Sequence, residues 1–128
     1  MTNTEFNIKN FTKGTIPNVP FLDLKREALG KNYELSLVFI GSTRSKRLNT
    51  IYRKKTKATN ILSFPISKKS GEIFIDTNVA KQQAKKFNRT YRNFVGYLFI
   101  HGLFHLKGME HGLRMESAEK KLQDKYKI

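Results

Sequence analysis

His101, His105 and His111 are the three histidines of this 128-residue chain, and all lie in one stretch, HGLFHLKGMEH. Residues four apart on a helix sit one turn apart on the same face, so His101 and His105 point the same way. Gly108 separates that pair from His111. A glycine takes a positive φ without steric penalty and can end a helix, so the chain can turn and bring His111 back toward the pair. Three imidazoles with a fourth position open is how a catalytic zinc is held. A lone buried histidine is ordinarily a hydrogen-bonded core residue, but three together without an ion would have few partners. The expectation is one zinc ion per chain, on His101, His105 and His111.

The spacing H-x3-H-x5-H, with glycine between the second and third histidine, resembles the metzincin peptidases, H-E-x-x-H-x-x-G-x-x-H. Those enzymes carry a glutamate after the first histidine as general base. Here that position is Gly102, which has no carboxylate. Three neutral ligands leave zinc its full charge, enough to bring a bound water toward a pKa of about 7 and to polarise a phosphoryl oxygen. Glu110, beside His111, reads either as a base or partner to the site, or as a solvated residue capping the next helix. Arg53 ends a helix and is followed by Lys54, Lys55 and Lys57. Its guanidinium can grip a phosphate through two parallel donors and offset developing charge. It is equally a cation at a helix C-terminus, where cations are favoured.

Lys and Arg total 25 against 10 acidic residues, a net charge of +15. Such a field attracts polyanions, above all nucleic acid. A lysine-rich proteome and a membrane surface are the competing readings. There is no cysteine, so disulfides are excluded and any metal takes nitrogen or oxygen ligands. No apolar run nears the roughly 18–20 residues that span a bilayer, and MTNTEFNIKNF does not read as a signal peptide. A soluble cytoplasmic protein is expected, as one domain over residues 1–128.

These groups must be positioned by a small α+β fold. Alternation predicts strands at 4–9, 33–40 and 72–76, and the short apolar run 61–65 is a further strand, ended by Pro65. Helices are predicted at 19–30, with Leu22, Ala28 and Leu29 on one face, and at 43–54, with Leu48, Ile51 and Tyr52 inward. Residues 54–59 form a charged loop. Further helices follow at 78–87, 90–107 and 113–126. The 90–107 segment is apolar almost all round, so the metal-binding helix should be central, against a mixed sheet of about four strands with about five helices in all. An edge strand ILSFP beside the metal cleft would turn Ser63 and Phe64 to substrate, Phe64 stacking a base; Phe64 reads equally as core. Lys81, Lys85, Lys86, Arg89 and Arg92 extend a basic surface or merely solvate two helices.

The chain resembles the YbeY-type family of bacterial rRNA maturation factors, which are metal-requiring single-strand endoribonucleases. The family pattern HGxLHLxGYDH is matched at 101–111, LNxxYRxKxxxTDVLSFP by LNTIYRKKTKATNILSFP at 48–65, and a GDI strand by Gly71-Glu72-Ile73. The resemblance implies zinc on the three histidines and a functional Arg53 lining the cleft. It also implies action on rRNA, in 16S 3′-end processing and ribosome quality control, with the ribosome as partner. Phe104, Met109-Glu110, Asn60 and Glu72 depart from the family's Leu, Tyr-Asp, Asp and Asp. The competing functions are a zinc peptidase or other small-substrate hydrolase, disfavoured by Gly102, and a ribosome-associated RNA-binding factor with structural zinc.

Overall fold

The computed structural model describes residues 5–55 and 57–128. Expectations touching Thr4, in the first strand, and Thr56, in the charged loop, lie outside the described residues. Among the described residues the order is β1 (Phe6–Asn10), α1 (Phe21–Leu29), β2 (Glu34–Ile40), α2 (Ser42–Arg53), β3 (Ile61–Ser67), β4 (Ser70–Asp76), α3 (Thr77–Lys86), α4 (Tyr91–Leu106) and α5 (Leu113–Tyr126). The strands form one mixed sheet in the order β1-β2-β4-β3. β1, β2 and β4 are parallel, and β3 joins β4 antiparallel. This is the expected α+β architecture. β3 is an outer strand, as Pro65 requires, yet it does not stop there. It runs on to Ser67 through a register shift between Pro65 and Ser67.

The core forms where the sheet meets α4. Leu35, Leu37, Phe39, Ile73 and Ile75 of the sheet and Phe99, Ile100 and Leu103 of α4 are all buried in one apolar cluster. α4 touches α1, α3, α5, β3 and β4. It is apolar on every side because it has neighbours on nearly every side. Its start is fixed by Thr90, whose hydroxyl accepts from the Asn93 N–H at 3.1 Å.

Gly102 sets how closely α4 approaches the sheet. A Cβ there would lie 2.9 Å from Ile61 Cδ1, 3.0 Å from Ile73 Cδ1 and 3.0 Å from Ser63 Oγ. The position that holds the general base in metzincins is thus filled here by β3 and β4.

Two faces differ from expectation. On α1, Phe21, Leu24, Lys25 and Ala28 are buried and Leu22 is exposed. On α2 the buried residues are Ser45 and Asn49, whereas Ile51 and Tyr52 are exposed. α2 docks through polar bonds. The Ser45 hydroxyl donates to the Thr59 carbonyl and accepts from the Thr59 N–H, and the Asn49 amide donates to the Lys57 carbonyl. The helix is capped by Gly41, without a side-chain cap. Lys25, with no exposed surface, donates to Glu5 at 3.3 Å and to the Lys31 carbonyl at 3.4 Å. Arg26 holds the same carboxylate through two bonds of 2.7 and 3.0 Å.

Two tests follow from this packing. Gly102→Ala should destabilise the fold by about 1–3 kcal/mol, as overpacking does, and Gly102→Glu more; urea denaturation with unchanged midpoints would refute the close approach. The Arg26 guanidinium, with Lys25, holds the Glu5 carboxyl down at about 2. Its contribution is complete above its ordinary value of 4.5 and is lost as pH falls toward about 2. Glu5→Gln should therefore be less stable than the parent near neutral pH, with the gap closing in strong acid. A gap that does not change with pH would count against the pairing.

Candidate functional site

His101 and His105 lie on the last turns of α4, whose C-terminal end gives way at Lys107. Gly108 then takes φ +90°, a left-handed conformation that favours glycine. The reversal returns His111 to the pair. The His101 and His111 rings are 5.3 Å apart between centroids and the His105 and His111 rings 5.9 Å, with interplanar angles of 25° and 30°. The turn inferred at Gly108 and the convergence of three imidazoles are both present.

The three rings line one wall of a cleft of about 580 Å³. Arg53, at the end of α2, lines it as well, together with Asn60 and with Ser63 and Phe64 of the outer strand β3. Arg53 reaches the cleft because α2 is tied down behind it. The Lys55 N–H donates to the Asn49 carbonyl and the Thr50 hydroxyl to the Lys55 carbonyl, closing the chain just past the helix. The Asn60 amide donates to Gln83 of α3 at 2.8 Å. Partial burial, then the charges of His101, His111 and Arg53, hold the His105 pKa below its ordinary value. The shift favours the neutral ring, the form that binds metals.

Glu119 of α5 is a neighbour that sequence reasoning missed. Glu119 is 7% exposed and its carboxylate oxygens lie 3.1 and 3.3 Å from Nδ1 of His101. An ionised carboxylate only accepts, so Nδ1 carries the proton. In the neutral ring Nε2 then keeps its lone pair. A carboxylate behind a histidine is the usual arrangement that fixes a metal ligand's tautomer. Its signal was present: Met115, Glu119 and Leu122 are the buried residues of α5, spaced as a helical stripe. An acidic residue within such a stripe needs a partner. Glu110, by contrast, is exposed and does not line the cleft; it lies in a separate hollow formed by residues 108–114.

The donor set suits a zinc-like ion in type, being three imidazoles. It also suits one in spacing: two imidazoles on a tetrahedral zinc, with Zn–N of roughly 2.0–2.1 Å, have centroids about 5 Å apart. As the rings stand, among the described residues no group of three or more His, Cys, Asp or Glu side chains is arranged to hold a metal ion. The rings are close enough and must turn to share one. Among the described residues, His105 and His111 have no side-chain hydrogen bond comparable to the one by which Glu119 holds His101. Loss of that restraint should be measurable without catalysis. Glu119→Ala should weaken zinc retention against a competing chelator by about 10–100-fold, and nitrogen NMR of the metal-free protein should show His101 losing its preference for the Nδ1–H tautomer. Unaltered zinc affinity and tautomer would leave Glu119 a packing residue.

Comparison with known proteins adds independent findings. The model of a family described as Endoribonuclease YbeY matches residues 2–127. A relative of that name from Alkaliphilus metalliredigens (strain QYMF) is 34% identical over 107 residues, 75% of this chain and 69% of the relative. One from Finegoldia magna is 36% identical over 95 residues, 69% of this chain and 62% of the relative. One from Koribacter versatilis is 32% identical over 113 residues, 84% of this chain and 74% of the relative. The solution structure of TM1509 from Thermotoga maritima superposes with a TM-score of 0.69 at 22% identity, covering 95% of this chain and 91% of that one. That last likeness is one of fold.

Proposed function

The chain belongs to the Endoribonuclease YbeY family, and from that premise we propose that it is a zinc-dependent endoribonuclease of single-stranded RNA, acting as one domain in the cytoplasm on 16S rRNA 3′ ends and in ribosome quality control. The observation that carries this reading is the cleft itself, which gathers Arg53 and three imidazoles on a chain of net charge +15. Among the described residues no helix is long and apolar enough to cross a membrane.

His101, His105 and His111 would hold one zinc ion per chain. Bound there, zinc supplies Lewis-acid chemistry toward a phosphoryl oxygen. Arg53 takes the phosphate through its planar fork of donors and offsets charge that grows on the phosphoryl oxygens. Glu119 holds His101 in one tautomer and orientation. Asn60 stands where the family carries an acid, so its amide, tied to Gln83, contributes hydrogen bonding but no charge. Glu110 keeps a carboxylate at the rim of the histidine loop, within reach of solvent protons rather than of the cleft. A peptidase reading lacks its base, because the space beside Gly102 is taken by Ile61, Ile73 and Ser63.

The experiment is metal-dependent cleavage of an unstructured RNA, with His101→Ala prepared identically as the control for contaminating nucleases. Arg53→Ala should keep its metal and lose cleavage by about 10²-fold or more, as loss of a charge-stabilising donor does, while RNA binding falls far less. Equal losses in binding and cleavage would remove Arg53 from the site. Casein cut by the parent but not by His101→Ala, with RNA surviving both, would replace the nuclease reading with the peptidase one.

A further inference from the structure

A ladder of aromatic rings climbs from the sheet to the surface beside the cleft. Phe74 of β4 meets Phe64 of β3 edge-on at 5.7 Å and 72°. Phe64 in turn meets Tyr52 of α2 at 4.9 Å and 56°. Phe74 and Phe64 are half-buried, whereas Tyr52 is 63% exposed. Tyr52 is thus backed by one ring and largely open to solvent. It adjoins Arg53 in sequence, and both Arg53 and Phe64 line the histidine cleft.

The surroundings select the occupant. Arg44, Lys46, Arg47, Arg53, Lys54, Lys55 and Lys57 lie on α2 and just after it, against one carboxylate, Glu72, which β4 sets opposite Phe64. Such a field repels cationic ligands and draws anionic ones. A ligand that presents a flat π-face and a phosphate a short step apart is a nucleotide. Aromatic side chains stack on any base, whatever its sequence.

We propose that Tyr52, supported by Phe64, is a stacking subsite for the nucleobase next to the phosphate held at Arg53. The inference rests on the RNA-cleaving reading and adds to it a source of strand selection. A base within a duplex has both faces covered by its neighbours, so it cannot offer one to Tyr52 without unstacking. A base in a single strand can.

Metal-stripped protein allows binding to be read without cleavage. With a short fluorescein-labelled single-stranded oligoribonucleotide at fixed salt, Tyr52→Ala should raise Kd about tenfold and Tyr52→Phe by no more than about twofold. A ribose-phosphate oligomer lacking bases should bind the parent and Tyr52→Ala equally. The chain has no tryptophan, so Tyr52→Trp introduces a single indole whose emission should be quenched by RNA and not by the base-free oligomer. Binding by Tyr52→Ala equal to the parent's, the same loss on the base-free oligomer, or an unquenched indole would each overturn the proposal. If the parent cleaves RNA while any of these holds, the stacking subsite alone falls. If the parent neither binds nor cuts RNA, the function reading falls with it.

Discussion

The contact of α4 with β3 and β4 at Gly102 is the constraint on which the site depends. A side chain there would have to push aside the tips of Ile61, Ile73 and Ser63 or hold the helix further from the sheet, because those tips already occupy the space a Cβ would take. The residue before the glycine is His101, and the strand it touches carries Ser63 and Phe64 into the cleft. One close approach therefore sets the distance between the histidine wall and the strand wall. The rest of α4 is buried among apolar neighbours and has little freedom to compensate.

Much of this was legible in the sequence. A segment apolar almost all round placed α4 and a thin apolar stripe placed α5, while alternation gave three strands and a short apolar run ended by proline gave β3. The histidine convergence followed from a four-residue spacing and one glycine. What escaped was burial by polar groups. α2 was read by its apolar residues, yet Ile51 and Tyr52 face solvent and Ser45 and Asn49 are buried against the backbone of 57–59. Hydrophobic pattern says nothing of a helix docked by hydrogen bonds to a loop. Lys25 escaped for the same reason, its charge answered by Glu5 twenty residues away. Glu110 drew notice because it adjoins His111, whereas Glu119 reaches His101 from another helix. Sequence neighbours advertise themselves and tertiary neighbours do not. The strand past Pro65 went unseen because an outer strand needs only one partner, which leaves room for a residue with no donor.

The parts of the cleft differ in how they are held. The three histidines come from a single helix end and the loop after it, so their proximity is largely local. Arg53 depends on a polar clamp between α2 and the loop that follows, and Glu119 on the packing of α5 against α4. Changes outside the histidine segment, in the 57–59 loop or the buried stripe of α5, can thus disturb Arg53 or His101 without touching a histidine. The cationic stretch from Arg44 to Lys57 adds positive charge on the α2 side, which acts over several ångströms and fades with salt.

The outer strand also governs how the molecule meets its own copies. A free sheet edge is a template for another strand, and long flat edges invite self-association. β3 offers a poor template. Pro65 lacks a donor, the register breaks between Pro65 and Ser67, and Lys68 and Lys69 follow in the turn. Proline, irregular pairing and edge lysines are the devices by which natural sheets refuse new strands. The cleft has an open strand for one wall, and these features let that strand stay open without becoming a site of aggregation.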